Sequence, residues 1–287
     1  MRLNTNLNSL NIFRNQKKNE IDNANALRKI SSGKKILSAK DNPNKIGQSD
    51  ELKIKIKSLQ MAEKNLQDTN SMLQATDGSL SEISNLLLRM KELTVKGASD
   101  INNESDKEII QAEIDYIKDS IDEIIKGSSF NGRSLIGDIK VSDNNYPNNI
   151  KTTSGALSDE TITIPKYNLK SQNIVDSKGN SIRDISIKTL EDSNRAIKTV
   201  DDGIALVGNV RSIYGSIQKR VENGAEYLNS VNITSEKALS ALEDSDIALE
   251  IFEYSKSDIL INASMALMSQ SNKLPKEILS ILERIRK

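Results

Sequence analysis

Five cations, Arg28, Lys29, Lys34, Lys35 and Lys40, crowd around Gly33 in and beside the stretch KISSGKKILSAKDNP. Ammonium and backbone N–H groups around a glycine are the parts of a phosphate cradle. That chemistry normally comes as GxxxxGK[ST] after a strand. Here there is one glycine, no such spacing and no strand pattern before it. The acidic pairs Asp201-Asp202 and Glu243-Asp244 have the residue types for general acid–base work, but carboxylates on a helical pattern read first as its solvated face. Arg89 and Glu113 read, from the residues alone, as surface charges.

The chain has no histidine and no cysteine. This removes disulfides, thiol nucleophiles, Ser-His-Asp triads and almost every zinc or haem site. No catalytic, cofactor-binding or metal-ligating residue is assigned, and the expectation is a protein that is not an enzyme and needs no cofactor. Lys+Arg and Asp+Glu are both 40, so the formal net charge is zero. That balance points to no nucleic-acid partner and no anionic membrane. No window approaches the ~18 apolar residues of a membrane span. The opening MRLNTNLNSLNIFRNQ has no apolar h-region, so no secretory signal peptide is expected there.

What positions these residues is helix. Hydrophobic residues make up only 36% of the chain and aromatics 3%, which suits long, thin helices with much surface in water. Apolar residues from Leu7 to Ile30 predict a helix over about 5–32, stopped by Gly33 as a left-handed cap. Asn42 as N-cap and Pro43 as first residue start the next helix. It carries Leu52, Leu59, Leu66, Leu73, Leu80 and Leu87 at intervals of seven. The fourth-position slots Glu63, Asn70, Asp77 and Ser84 are polar, but Ala62, Ile83 and Met90 widen the stripe. Over 43–98 such a helix is about 80 Å long. No dense basic segment precedes the leucines, so they read as a bundle seam and not as a DNA-binding zipper.

A capping box at Ser105 and Glu108 predicts a third helix. Its stripe is Ile110, Ile114, Ile117, Ile121 and Ile124. Gly127 is expected to cap it, and Asn131-Gly132 to form a turn. Residues 136–185 hold two of the four prolines and little periodicity. TITIP (161–165) predicts a short strand, and IRDISIK (182–188) another. Helix returns near 188, with a one-residue slip after Tyr214. A last helix is expected from about Thr234 to Asn272, broken at Leu274-Pro275, before a short amphipathic tail. The fold class is therefore mainly α: a long antiparallel helical hairpin or bundle, coiled-coil-like, with a small β-hairpin and loop insert at the far end.

Several stretches together resemble bacterial flagellin. LNTNLNSL is similar to the family's opening, and ISSGKKILSAKDN to its LSSGxRIxSAxDD signature. LQATDGSLSEISNLLLRMKELTVKGAS, IIQAEIDYI and FNGRSL resemble the following helices and turn. In the C-terminal half, GSIQKRVENGAEYLNSVNITSEKALSALEDSDIALEI and MALMSQSNKLPKEILSIL resemble the family's closing region. The likeness covers about 1–137 and 188–287, in order. DNPNKIG stands where the family usually reads DDAAG, and LEDSD where it usually reads IRDxD. Pro43 is closer to hook–filament junction proteins.

The resemblance implies a structural subunit of the flagellar filament, used for swimming, with a hook–filament junction protein as the alternative. It implies terminal helices (1–42 and 238–287) in the filament core, a helical rod (43–137 and 186–237), and a surface-exposed insert (138–185). The implied partners are other copies of the chain, a flagellar export chaperone, the filament cap and hook-associated proteins. The implied location is extracellular, in the filament. The resemblance also places Arg89, Leu93 and Glu113 at positions where the family contacts the vertebrate innate receptor Toll-like receptor five.

Overall fold

The computed structural model describes residues 6–99, 101–137, 141, 144, 147–157 and 159–285, with the side chains of 278, 279 and 281–285 outside the description. The element order is α1 (Leu7–Ser32), α2 (Pro43–Gly97), α3 (Glu104–Gly127), β1 (Asn148–Thr153), β2 (Thr161–Lys166), a 3-10 turn (Ile182–Asp184), α4 (Leu190–Glu243) and α5 (Ile247–Ile285). By internal contact the chain divides into two units, Met1–Ile54 with Thr234–Lys287, and Lys55–Ile233.

In the unit made by the two ends of the chain, α1 lies antiparallel to α5. Gly33 ends α1 as expected, with φ 69° and its N–H on Lys29 O at 2.8 Å. Asn42 caps α2 through Oδ1, which accepts from Lys45 N at 3.1 Å. The expected helix boundary near Thr234 is absent. α4 continues to Glu243, and Asp246 restarts the chain as α5 by accepting from Ala248 N and Leu249 N. Pro275 does not break α5 but sits inside it.

The second unit is a packed bundle. Leu59, Leu66, Leu73, Leu80 and Leu87 of α2 are buried as the seven-residue spacing predicts. The companion row is Ala62, Thr69, Thr76, Ile83 and Met90, buried too. Thr69 and Thr76 fit there because their hydroxyls donate back to Asn65 O and Met72 O, one turn earlier. On α3, Ile110, Ile114, Ile117, Ile121 and Ile125 are buried, and Ile124 only partly. The capping box is two residues earlier than expected, at Asn103 and Asp106. Asparagine is as good an N-cap as serine, and the chain enters the helix there in extended conformation. Gly127 stays helical and Ser128 follows as the cap. The turn at Asn131-Gly132 is present, with φ 49° and 72°.

On α4 there is no slip. Val200, Val207, Tyr214, Val221 and Leu228 form one buried ladder at intervals of seven. Gly203 sits on the neighbouring row, where an added Cβ would lie 2.9 Å from Ile182 Cδ1.

β2 is the expected strand, but its partner is Asn148–Thr153, antiparallel, with Ile150 opposite Ile164. Ile182–Asp184 turns into a 3-10 helix because Ile182, Ile185 and Ile187 are all needed inward. The segment expected as an exposed insert thus supplies Ile162, Ile164, Tyr167, Leu169, Ile174 and Ile182 to the core of this unit. Tyr214 ties it down: its one hydroxyl proton is shared between Pro165 O (2.9 Å) and Leu135 O (3.2 Å), and its ring meets Tyr167 edge-on at 5.9 Å.

Candidate functional site

The seam between α1 and α5 mixes polar and small residues with a few larger apolar ones. The less exposed positions of α5 are Glu250, Tyr254, Ser257, Ile261, Ser264, Met268, Ser271 and Pro275, alternating by four and three. Those of α1 include Ser9, Ile12, Gln16, Asn19, Asn23 and Ala26. Small side chains on one row let the backbones approach, and amides then reach across. Asn23 Nδ2 donates to Tyr254 O (3.3 Å) and Ser257 Oγ (3.2 Å). Lys29 Nζ meets Glu250 Oε1 at 2.9 Å. Asn6 Nδ2 donates to Ser271 O at 2.9 Å.

Most of the large apolar residues of the same two helices face outward. Leu7, Phe13 and Ile21 of α1 and Leu249, Phe252 and Ile259 of α5 are each more than half exposed, from 51% at Phe13 to 67% at Ile259. Large apolar side chains exposed in this number along two paired helices point to an interaction surface.

Arg28 and Lys29 belong to the last turns of α1, while the connector from α1 to α2 carries Lys34, Lys35 and Lys40. Its backbone is stitched to the α4–α5 junction: Ser245 N donates to Gly33 O (3.0 Å) and Lys35 N to Glu243 O (2.7 Å). The Glu243 carboxylate is 5% exposed and accepts from Lys34 Nζ at 2.7 Å, from Lys53 Nζ and from Ser49 Oγ. Burial alone would raise its pKa. The donors Lys34, Lys53 and Ser49 outweigh that and hold it down at about 2. Lys35 Nζ donates to Ala241 O at 2.9 Å. Arg28 pairs with Asp41 at 2.8 Å, and Asp41 also accepts from Leu37 N and Ser38 N. These contacts hold Asp41 below the usual carboxylate range, the Leu37 N–H foremost. Arg28, Lys34 and Lys35 are therefore committed to protein groups and do not frame a phosphate cradle.

The other sequence-marked residues lie in the second unit. Arg89 Nη2 and Nε meet Glu113 Oε1 at 2.8 and 3.1 Å, and Arg89 Nη1 meets Glu92 at 3.0 Å. The structure brings Arg89 and Glu113 together on an exposed face. It does not bring Leu93 to them as a surface group, because Leu93 is 3% exposed. Asp201 pairs with Lys91 at 2.6 Å and Asp202 accepts from Ser177 N, so this acidic pair is spent on structure. Among the described residues no group of three or more His, Cys, Asp or Glu side chains is placed to hold a metal. No described helix is long and apolar enough to cross a membrane.

Sequence reasoning missed the seam residues, Asn6, Asn23, Glu250, Ser257 and Ser271. The signal was there: position 250 and the serines at 257, 264 and 271 recur every seven residues. An apolar-periodicity search passes over it.

A family model of the bacterial flagellin N-terminal helical region matches residues 3–140, and one of the flagellin C-terminal helical region matches 197–282. A flagellar filament 30.7 kDa core protein of Treponema maltophilum is 30% identical over 258 residues, 89% of this chain and 90% of that protein. The flagellin of Bacillus subtilis is 28% identical, covering 98% of this chain and all of the relative. Among solved structures, a chain described as a flagellar hook-associated protein of Vibrio parahaemolyticus is similar over 71% of this chain, with a TM-score of 0.60 and 14% identity, a likeness of fold alone. The matched helical regions include the polar seam, the connector and the outward apolar face, and the chain belongs to the bacterial flagellin family.

Proposed function

We propose that the chain is a structural subunit of the flagellar filament and polymerises through the terminal helices, residues 1–42 and 238–287. The observation that carries this reading is the outward apolar face of α1 and α5 on a pair already held by polar contacts. Burial of that face between copies, at roughly 25 cal/mol per Å², supplies the association energy. Relatives of matching length named as flagellin or filament core protein support the filament subunit over a hook–filament junction protein. The expected setting is extracellular, with an export chaperone, the filament cap and hook-associated proteins as partners. Arg89 and Glu113 remain candidates for contact with Toll-like receptor five. Their exposed pair supports this, while the buried Leu93 supports the helix packing beneath them.

Electron microscopy of material sheared from cells tests the filament reading, together with deletion of residues 1–42 or 250–287. Loss of filaments on deletion, with the unit spanning 55–233 still folded, is the expected result. Filaments assembled from truncated subunits would overturn it.

A further inference from the structure

Pro275 sits inside α5 and has no N–H to donate. In an α-helix the N–H of residue 275 would close on the carbonyl of residue 271. That carbonyl, Ser271 O, instead accepts from Asn6 Nδ2 at 2.9 Å. The same amide reaches Ser271 Oγ at 3.2 Å and Asn272 Oδ1 at 3.5 Å. Its oxygen caps α1 by accepting from Ser9 N at 3.1 Å. Ser271 is 9% exposed, so an unfilled acceptor there carries a desolvation cost.

We infer that Pro275 and Asn6 are a matched pair: the proline opens a socket on α5 and the asparagine fills it, fixing the register of α1 at its outer end. The seam's specific contacts, Lys29–Glu250 and Asn23–Ser257, lie towards the connector end. Beyond them the serine row at 257, 264 and 271 repeats every seven residues and does not distinguish one heptad from the next. Every other carbonyl along this stretch of α5 has its own N–H four residues on. Ser271 O is the acceptor left open by sequence. The connector stitches at Gly33 and Lys35 fix the opposite end of α1, about 40 Å away along the helix. A single side chain doing two jobs, N-cap and clip, closes the far end.

The test is hydrogen exchange of α1 and the 262–274 stretch of α5 in the full-length chain, both as soluble protein and as assembled material. Asn6→Asp and Asn6→Ser both keep an N-cap acceptor. The first has no donor and the second is too short to span the gap. Either is expected to speed exchange at the outer ends about two- to tenfold. Pro275→Ala restores an N–H to Ser271 O, and in that background the same changes should alter exchange by less than about twofold. Equal effects in both backgrounds would overturn the pairing, as would an unprotected α1 in both forms of the protein. Failure of the wild-type chain to assemble would count against the filament reading alone, since the soluble protein still reports the coupling.

Discussion

Lys34 Nζ lies 2.7 Å from Glu243 Oε2, and the two residues' backbones run alongside each other, with Lys35 N on Glu243 O at 2.7 Å. Glu243 is thus joined to the connector twice, by charge to Lys34, 209 positions away, and through its carbonyl to the Lys35 N–H. Lys53, from α2, completes the clamp on the same carboxylate. The lysines that looked like a ligand site are the fastening of a joint between helices.

The clamp has a defined pH response. The Glu243 pKa is lowered from its ordinary 4.5 to about 2. A depressed carboxylate stabilises the fold above its unfolded pKa, and that stability is lost as pH falls from about 5 towards 2. For a buried group the loss is on the order of 3 kcal/mol. Glu243→Gln is expected to melt below wild type at pH 7, with the gap closing by pH 2, when followed by circular dichroism. A gap that stays constant with pH would show that Glu243 works only through its shape.

Phe252 is 63% exposed on the outward face of α5. Phe252→Asp removes apolar surface from that face and leaves the polar seam untouched. Unfolding of the soluble chain should shift by less than about 0.5 kcal/mol. Polymerisation, followed by sedimentation, should fail or need far more protein. Normal filaments from this variant would place the assembly surface elsewhere.

Arg89 and Glu113 are both exposed at their contact, and exposed pairs contribute little to stability. Arg89→Asp puts like charge beside Glu113 and Glu92 without opening the core. The melting temperature should stay near wild type. A receptor-reporter assay should lose its response if the Arg89–Glu113 face is the contact. A response unchanged from wild type would remove these residues from the receptor proposal.

Much of the fold was legible in the sequence, and the exceptions share a cause. Gly33, Asn42-Pro43, the leucines of α2 from Leu59 to Leu87, and Ile110, Ile114, Ile117 and Ile121 of α3 obey local rules, and the structure places them as the rules require. The α1–α5 seam was not legible because periodicity searches equate buried with apolar, whereas α5 buries Ser257 and Ser271 and both helices expose leucine. Pro275 reads as a breaker because its missing N–H is a local fact, and the side chain that answers it is 269 positions away, at Asn6. β1 was missed because the two asparagines and the lysine of NNIKTT dilute the strand signal of Ile150, Thr152 and Thr153, and the pairing with TITIP is not a local feature.

The glycines of α4 give opposite predictions from the same substitution. Alanine is favoured over glycine in a helix interior by about 0.8–1 kcal/mol. At Gly208 an added Cβ meets nothing within 4 Å, so Gly208→Ala should stabilise the chain by about that amount. At Gly203 the added Cβ lies 2.9 Å from Ile182 Cδ1 and 3.1 Å from Ile174 Cγ2. Both isoleucines are fully buried and have little room to retreat. Overpacking a core costs roughly 1–3 kcal/mol, which exceeds the helix gain, so Gly203→Ala should destabilise by about 1 kcal/mol. Urea unfolding of the two variants beside wild type decides the matter. If Gly203→Ala were also stabilising, the packing of Ile174 and Ile182 against α4 would be looser than the structure has it, and the segment carrying them would be a weaker part of the core.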